Sequence, residues 1–231
     1  MMRHYVCTVV LLVLTACGGS SRLPSDRPVP AESRPDSFEV TFRTSKGTVV
    51  AMIHRAWSPL AADRVFDLVE RKVWDDIRIY RVVPNFVVQF GLTGDSAVNA
   101  AWRTRGLADE PVRELNRRGR ISFARAGPET RSVQVFINLR DNPRLDTLDA
   151  RGVVGYPPFG EVTRGMEVVD SFHGGYGNAP SQRQDSIGAQ GNRYLDREFP
   201  LLDRILEARV TRVWRGGRRG RRERRTAGER T

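Results

Sequence analysis

Ile77–Gly91 reads IRIYRVVPNFVVQFG, and its reading decides the fold. It contains two apolar runs of strand character, Ile77–Val83 and Phe86–Phe90, separated by the turn signal Pro84-Asn85. Arg78 and Arg81 interrupt the first run, and Gln89 interrupts the second. Strands joined this tightly must fold back on each other. Arg81 and Gln89, eight positions apart, are thereby carried onto neighbouring strands. Alternation gives Ile77, Ile79, Arg81 and Val83 one face. A lone arginine in an apolar strand is as often a snorkelling edge residue as a functional one, so the rest of the chain has to decide.

Upstream, Phe38–Thr44 and Thr48–His54 read as a hairpin around Ser45-Lys46-Gly47. Ser58-Pro59 signals a helix, with Ser as N-cap, Pro at the first position, and Leu60, Ala61, Val65, Leu68 and Val69 at helical spacing. Downstream, Gly94–Asn116 reads as a long polar loop with Asp109-Glu110 at its centre. Strands are expected at Ile121–Ala124, at Val133–Leu139, within Val153–Val162 and at Leu206–Val213. Gly165–Phe172 reads as a short helix, Gly174–Gly191 as a Gly/Gln/Ser-rich loop, and Tyr194–Pro200 as one helical turn. Many short strands with two helices among them predict a mainly β protein, an antiparallel barrel with helical plugs.

The 231 residues suit one domain with tails, and a hydrophobic fraction of 39% is enough for a core. Net charge is +11, but Arg212–Thr231 alone carries nine Arg against two Glu. The rest is therefore only mildly basic. At the N-terminus, Arg3 and His4 precede a short apolar run, Tyr5–Leu14, which is too short to span a bilayer. Leu14-Thr15-Ala16-Cys17 resembles the bacterial lipobox, which implies diacylglyceryl attachment at Cys17 and a domain anchored to a membrane in the cell envelope. The organisation expected is a lipoprotein signal peptide over 1–16, a lipid-anchored flexible linker over 17–37, a globular domain over 38–214 and an Arg-rich disordered tail over 215–231. With Cys7 lost and Cys17 acylated, the mature domain has no free thiol, which suits an oxidising compartment. The tail reads as a solvated end, with an anionic polymer as the competing partner; an exported chain is not expected to meet nucleic acid.

The usual catalytic sets are missing. There is no HExxH, P-loop, Gly-x-Ser-x-Gly or Cys–His pair, and past the leader only His54 and His173 remain. No metal or cofactor is expected. What remains is a set of spaced blocks. RVVPNFVVQFG resembles the cyclophilin signature, in which Arg leads into a Pro turn, then Phe, an apolar residue and Gln. Gly119–Leu139, GRISFARAGPETRSVQVFINL, resembles the second cyclophilin block. Leu145-Asp146, Phe159-Gly160, Val162, Gly165-Met166 and Val168-Val169 resemble the third. Together the blocks cover roughly Phe38–Asp170.

The resemblance implies a closed eight-stranded antiparallel barrel capped by two helices, and peptidyl-prolyl cis–trans isomerase activity on proline-containing segments of exported proteins. It implies that Arg81 and Gln89 are catalytic, with Arg81 as donor to the prolyl nitrogen. The socket and peptide groove would be formed by Phe86, Val87, Ala124, Arg125, Gln134, Phe136, Leu145 and Tyr156. Ser122 and Gly127 read as structural. Four positions depart from the family pattern: Arg125 replaces the usual Asn, Val87 replaces Met, Tyr156 stands where many members have a socket-edge His and bacterial members commonly have Tyr, and Arg144 is the fourth. Arg144 stands where many eukaryotic members carry a cyclosporin-contacting Trp, which implies weak cyclosporin binding. The chain is expected to act as a monomer. A cyclophilin-fold module that binds Pro-containing segments without turnover is the competing reading.

Overall fold

The structure, a computed structural model, describes residues 22–25 and 34–216. The signal peptide, Cys17 and the tail beyond residue 216 lie outside them, as does the middle of the expected linker. The described ends of that linker lie against the domain: Arg22 Nη2 donates to Asp75 O at 3.0 Å, and Trp102 Nε1 donates to Arg22 O at 2.8 Å.

Nine antiparallel strands form one sheet: β1 (Ser37–Thr44), β2 (Gly47–His54), β3 (Ile77–Arg78), β4 (Arg81–Val83), β5 (Val87–Phe90), β6 (Arg120–Phe123), β7 (Val135–Asn138), β8 (Pro158–Arg164) and β9 (Arg204–Trp214). Their order is β3-β9-β1-β2-β8-β6-β7-β5-β4. This corrects the closed eight-stranded barrel. The sheet is a curled half-barrel whose two edges, β3 and β4, are linked by the chain through Ile79-Tyr80 and not by a hydrogen-bond ladder. The cause is local. Ile79 donates its amide to Asp203 O at 2.9 Å, and Tyr80 leaves the strand line, so one expected strand becomes two. The break also shifts the alternation. Ile77, Ile79 and Val82 all enter the main core, and Tyr80 enters a separate cluster.

Inside the curl, Phe38, Val40, Phe42, Ile53, Phe90, Phe123 and Phe159 form the core with Trp74. Trp74 is buried because its Nε1 donates to Val133 O at 3.1 Å, which satisfies the indole donor. One mouth is covered by α1 (Pro59–Glu70), which buries Ala61, Ala62, Val65, Leu68 and Val69; α4 (Met166–Asp170) adds Val169.

Further helices correct the two-helix expectation. The polar stretch 94–116 contains α2 (Ser96–Arg103), capped by Asp95, whose carboxylate accepts from the amides of Ala97 and Val98. A short α3 (Arg144–Thr147) carries Leu145. The expected loop 174–191 holds a 3₁₀ turn (Pro180–Arg183) and α5 (Gln184–Gln190), and α6 (Asn192–Glu198) follows it.

The cap of α1 differs as well. Ser58 makes no side-chain cap. Its hydroxyl donates to Glu110, and the Glu110 carboxylate accepts from the amides of Leu60 (2.8 Å) and Ala61 (3.3 Å). A negative charge there also suits the positive end of the helix. Arg131, fully buried, donates to the same carboxylate at 3.1 Å and to Ala108 O. The loop from Gly106 onward is thus tied to α1 and to the segment leading into β7. Glu110→Ala would leave Arg131 with only the looser Asp109, 3.9 Å away, as a counter-charge and α1 uncapped. A loss of about 3 kcal/mol in urea unfolding is expected; a change under about 0.5 kcal/mol would remove Glu110 from this role.

Candidate active site

The hairpin β4–β5 sets the geometry. Register pairs Arg81 with Gln89, Val82 with Val88 and Val83 with Val87. The turn works because Pro84 fixes its own φ and Asn85 tolerates φ 59°, a conformation asparagine adopts more readily than most residues. Arg81 and Gln89 thus lie directly opposite each other, and Arg81 Nη1 donates to Gln89 Oε1 at 2.9 Å. Arg81 Nε donates to Asn178 Oδ1 at 2.7 Å. Among the described residues, Nη2 makes no hydrogen bond. The Arg81 guanidinium also lies 5.7 Å from the Phe86 ring centroid. Burial lowers the Arg81 pKa from the ordinary arginine value.

Gln89 is buried and donates through Nε2 to the Tyr80 hydroxyl (2.6 Å) and to Gln134 Oε1 (3.1 Å). Tyr80 in turn donates to Gln134 Oε1. Tyr80 is fully buried, and that burial, more than any other cause, pushes its pKa upward.

Beside this polar group lies an apolar one. Val87, Phe136 and Leu145 form a small buried cluster, with Phe86, Ala124 and Tyr156 packed against it. Phe136 and Tyr156 meet edge to face at 5.8 Å between centroids. Both groups open onto one cleft of about 1010 Å³, which also reaches Leu92, Asn99 and Arg103 on one side and Ser181, Gln184 and Asp185 on another.

All ten site residues expected in the domain therefore line this cleft. Arg125 does so through its backbone. Its side chain is 1% exposed, donates to Val153 O at 2.6 Å, and lies 4.7 Å from the Tyr156 centroid. Arg125 thereby braces a socket wall and does not reach into the groove. Gly155, at φ 70°, lets the chain turn into Tyr156 where a Cβ would meet Asp146 O at 2.4 Å. Cys17 lies outside the described residues.

Several residues that matter were not legible from spacing. Asn116, Asn138 and Asn142 are buried and mutually bonded beneath the socket. Asn142 Nδ2 donates to Phe86 O (3.1 Å) and Asn116 Nδ2 to Tyr156 O (2.9 Å), which fixes two socket walls. Ser122 joins them through Asn116. Tyr80 read only as an apolar strand residue, and Asn178 and Gln184 sat in an expected loop.

A model of the family described as cyclophilin type peptidyl-prolyl cis-trans isomerase/CLD matches residues 39–189. "Peptidyl-prolyl cis-trans isomerase A" of Dickeya dadantii is 31% identical over 163 residues, spanning 66% of this chain and 84% of its own. "Peptidyl-prolyl cis-trans isomerase CYP18-2" of Arabidopsis thaliana is 34% identical over 134 residues, 57% of this chain and 77% of its own. A crystal structure of a Cryptosporidium parvum cyclophilin type isomerase shares the fold at a TM-score of 0.52 and 18% identity, covering 76% of this chain and 98% of that one. The chain belongs to the cyclophilin-type peptidyl-prolyl cis-trans isomerase family. It is an isomerase of that class.

The pKa directions predict the pH profile. Arg81 keeps its charge below its lowered pKa and loses it first on the alkaline side, while the raised pKa of Tyr80 keeps that hydroxyl protonated. Among the described residues, no histidine lines the cleft. Isomerase kcat/KM should be flat over about pH 6–8 and fall only toward alkali. A limb with a midpoint near pH 6.5, the ordinary histidine value, would contradict this site.

Proposed function

We propose that this chain is a lipid-anchored isomerase of the cell envelope that rotates X–Pro bonds in exported proteins, with Arg81 as the donor to the prolyl nitrogen. The observation that carries the mechanism is the pose of Arg81. Two of its nitrogens are held by Gln89 and Asn178, and Nη2 is left over at the cleft that the apolar cluster also lines. The barrier to rotation is about 18–20 kcal/mol and comes from amide resonance. Nothing need be broken; the enzyme need only favour the twisted amide over both planar ends. In the twisted state the prolyl nitrogen is pyramidal and basic, so a fixed guanidinium donor is worth more there. Val87, Phe136, Leu145 and their neighbours hold the ring dry, and Gln134 and the backbone around Ala124–Arg125 hold the peptide.

Support for the address is the Leu14-Thr15-Ala16-Cys17 pattern after a short apolar run. Arg22, five residues past Cys17, is bonded to the domain at Lys72 O and Asp75 O. An anchor at Cys17 would therefore keep the domain within about 18 Å of its lipid.

Arg81→Ala is expected to lower kcat/KM for a proline tetrapeptide about 100-fold while the thermal midpoint holds. Equal rates in variant and wild type would refute the donor role and favour a module that binds without turnover. Cys17→Ser is expected to abolish incorporation of labelled palmitate and to move the protein from the membrane to the soluble fraction. Unchanged fractionation would refute the anchor.

A further inference from the structure

The polar side chains at the site form one continuous chain. From Arg81, Nη1 donates to Gln89 Oε1, Gln89 Nε2 to the Tyr80 hydroxyl, the hydroxyl to Gln134 Oε1, and Gln134 Nε2 to Gln184 Oε1 at 3.0 Å. On its other side Arg81 Nε donates to Asn178 Oδ1. Every bond points away from the guanidinium, so its charge polarises each in turn. Both ends of the chain rest on the same stretch, residues 174–191.

That stretch is itself held. Ile187 on α5 and Leu195 on α6 are buried in the second cluster with Tyr80, Leu92 and Leu202, and Tyr176 packs against them. Arg78, on the strand before Tyr80, grips Asp196 of α6 with two bonds of 2.6 and 2.7 Å. Gly191, at φ 61°, lies so close to Gly94 that a Cβ would meet its carbonyl oxygen at 2.0 Å.

We propose that residues 174–191 are a positioning element for the isomerase step: Asn178 fixes Arg81, Gln184 fixes Gln134, and the Tyr80 hydroxyl couples the two. This rests on the reading of Arg81 as donor. A guanidinium is planar and rigid, so holding Nε and Nη1 fixes the direction of Nη2. Without Asn178 one tether remains, and the group swings about its bond to Gln89. A misplacement of about 1 Å is costly to a step that depends on aim. The other end differs. Gln134 serves the peptide backbone, so loosening it weakens binding. The two ends therefore carry separate kinetic signatures.

Asn178 and Gln184 are both exposed, so truncating them leaves the core untouched. In protease-coupled or NMR-exchange kinetics on the whole chain, Asn178→Ala is expected to lower kcat about fivefold with KM within about twofold. Asn178→Asp, which keeps the acceptor oxygen, is expected to restore most of that loss. Gln184→Ala is expected to raise KM about threefold and to leave kcat within about twofold. Tyr80→Phe, which keeps the buried ring, is expected to show both changes. Thermal midpoints of the exposed variants should match wild type. The proposal is overturned by an unchanged kcat in Asn178→Ala, by a loss that Asn178→Asp does not restore, or by a loss that tracks a lowered thermal midpoint. If Arg81→Ala itself keeps the wild-type rate, the donor reading falls and this role falls with it. If Arg81→Ala is impaired while Asn178→Ala is not, only the positioning role falls.

Discussion

A guanidinium half withdrawn from water must have most of its donors satisfied, and the site is built around that demand at Arg81. Desolvation works against the charge there. Gln89 answers it from the facing strand and Asn178 from a distant turn. Gln89 needs support of its own, which recruits Tyr80, Gln134 and Gln184 in turn. The apolar socket does not share this requirement. It needs only shape and dryness, and it can sit beside the polar chain because β5 and β7 are neighbours that send Gln89 and Phe136 to paired positions.

Two buried polar networks hold the loops that the strands cannot. Asn116, Asn138, Asn142 and Ser122 fix the backbones of Phe86 and Tyr156. Glu110 and Arg131 tie the loop after α2 to the N-terminus of α1. Asp109, Arg125 and Arg131 extend the second network toward Tyr156 at looser distances of 3.7 and 3.9 Å. The direct bonds to Glu110 are the ones that fix position. Side-chain amides, capping carboxylates and core packing thus carry a domain in which no cysteine falls among the described residues.

Much of this was legible in the sequence. The hairpins, the helix after Pro59 and the closing strand follow from alternation and turn chemistry. The socket residues follow from the resemblance of three blocks to the cyclophilin pattern. What was missed has physical reasons. The break at Ile79-Tyr80 depends on a hydrogen bond from the Ile79 amide to the Asp203 carbonyl, 124 positions away, which no local pattern encodes. The stretch 174–191 has only two buried apolar side chains, Pro180 and Ile187, among Gly, Gln and Ser, so helical periodicity has almost nothing to register. α2 had a detectable start in Asp95 and a Val98/Trp102 stripe, but its polar surroundings outweighed them. Ser58 was a reasonable cap by type. Glu110 displaced it because a buried Arg131 also needed a carboxylate.

The strand order also carries a consequence for how the molecule is made. β9 lies between β3 and β1, so the last strand of the domain is inserted between two of the first. A chain emerging from its N-terminus therefore cannot complete the sheet until residues 204–214 are available. Before then β1 has a partner on one side only, and β3 has none. Pairings this distant in sequence slow folding. The nascent chain stays unfinished through most of its synthesis, with two strand edges open to any neighbour that could pair with them.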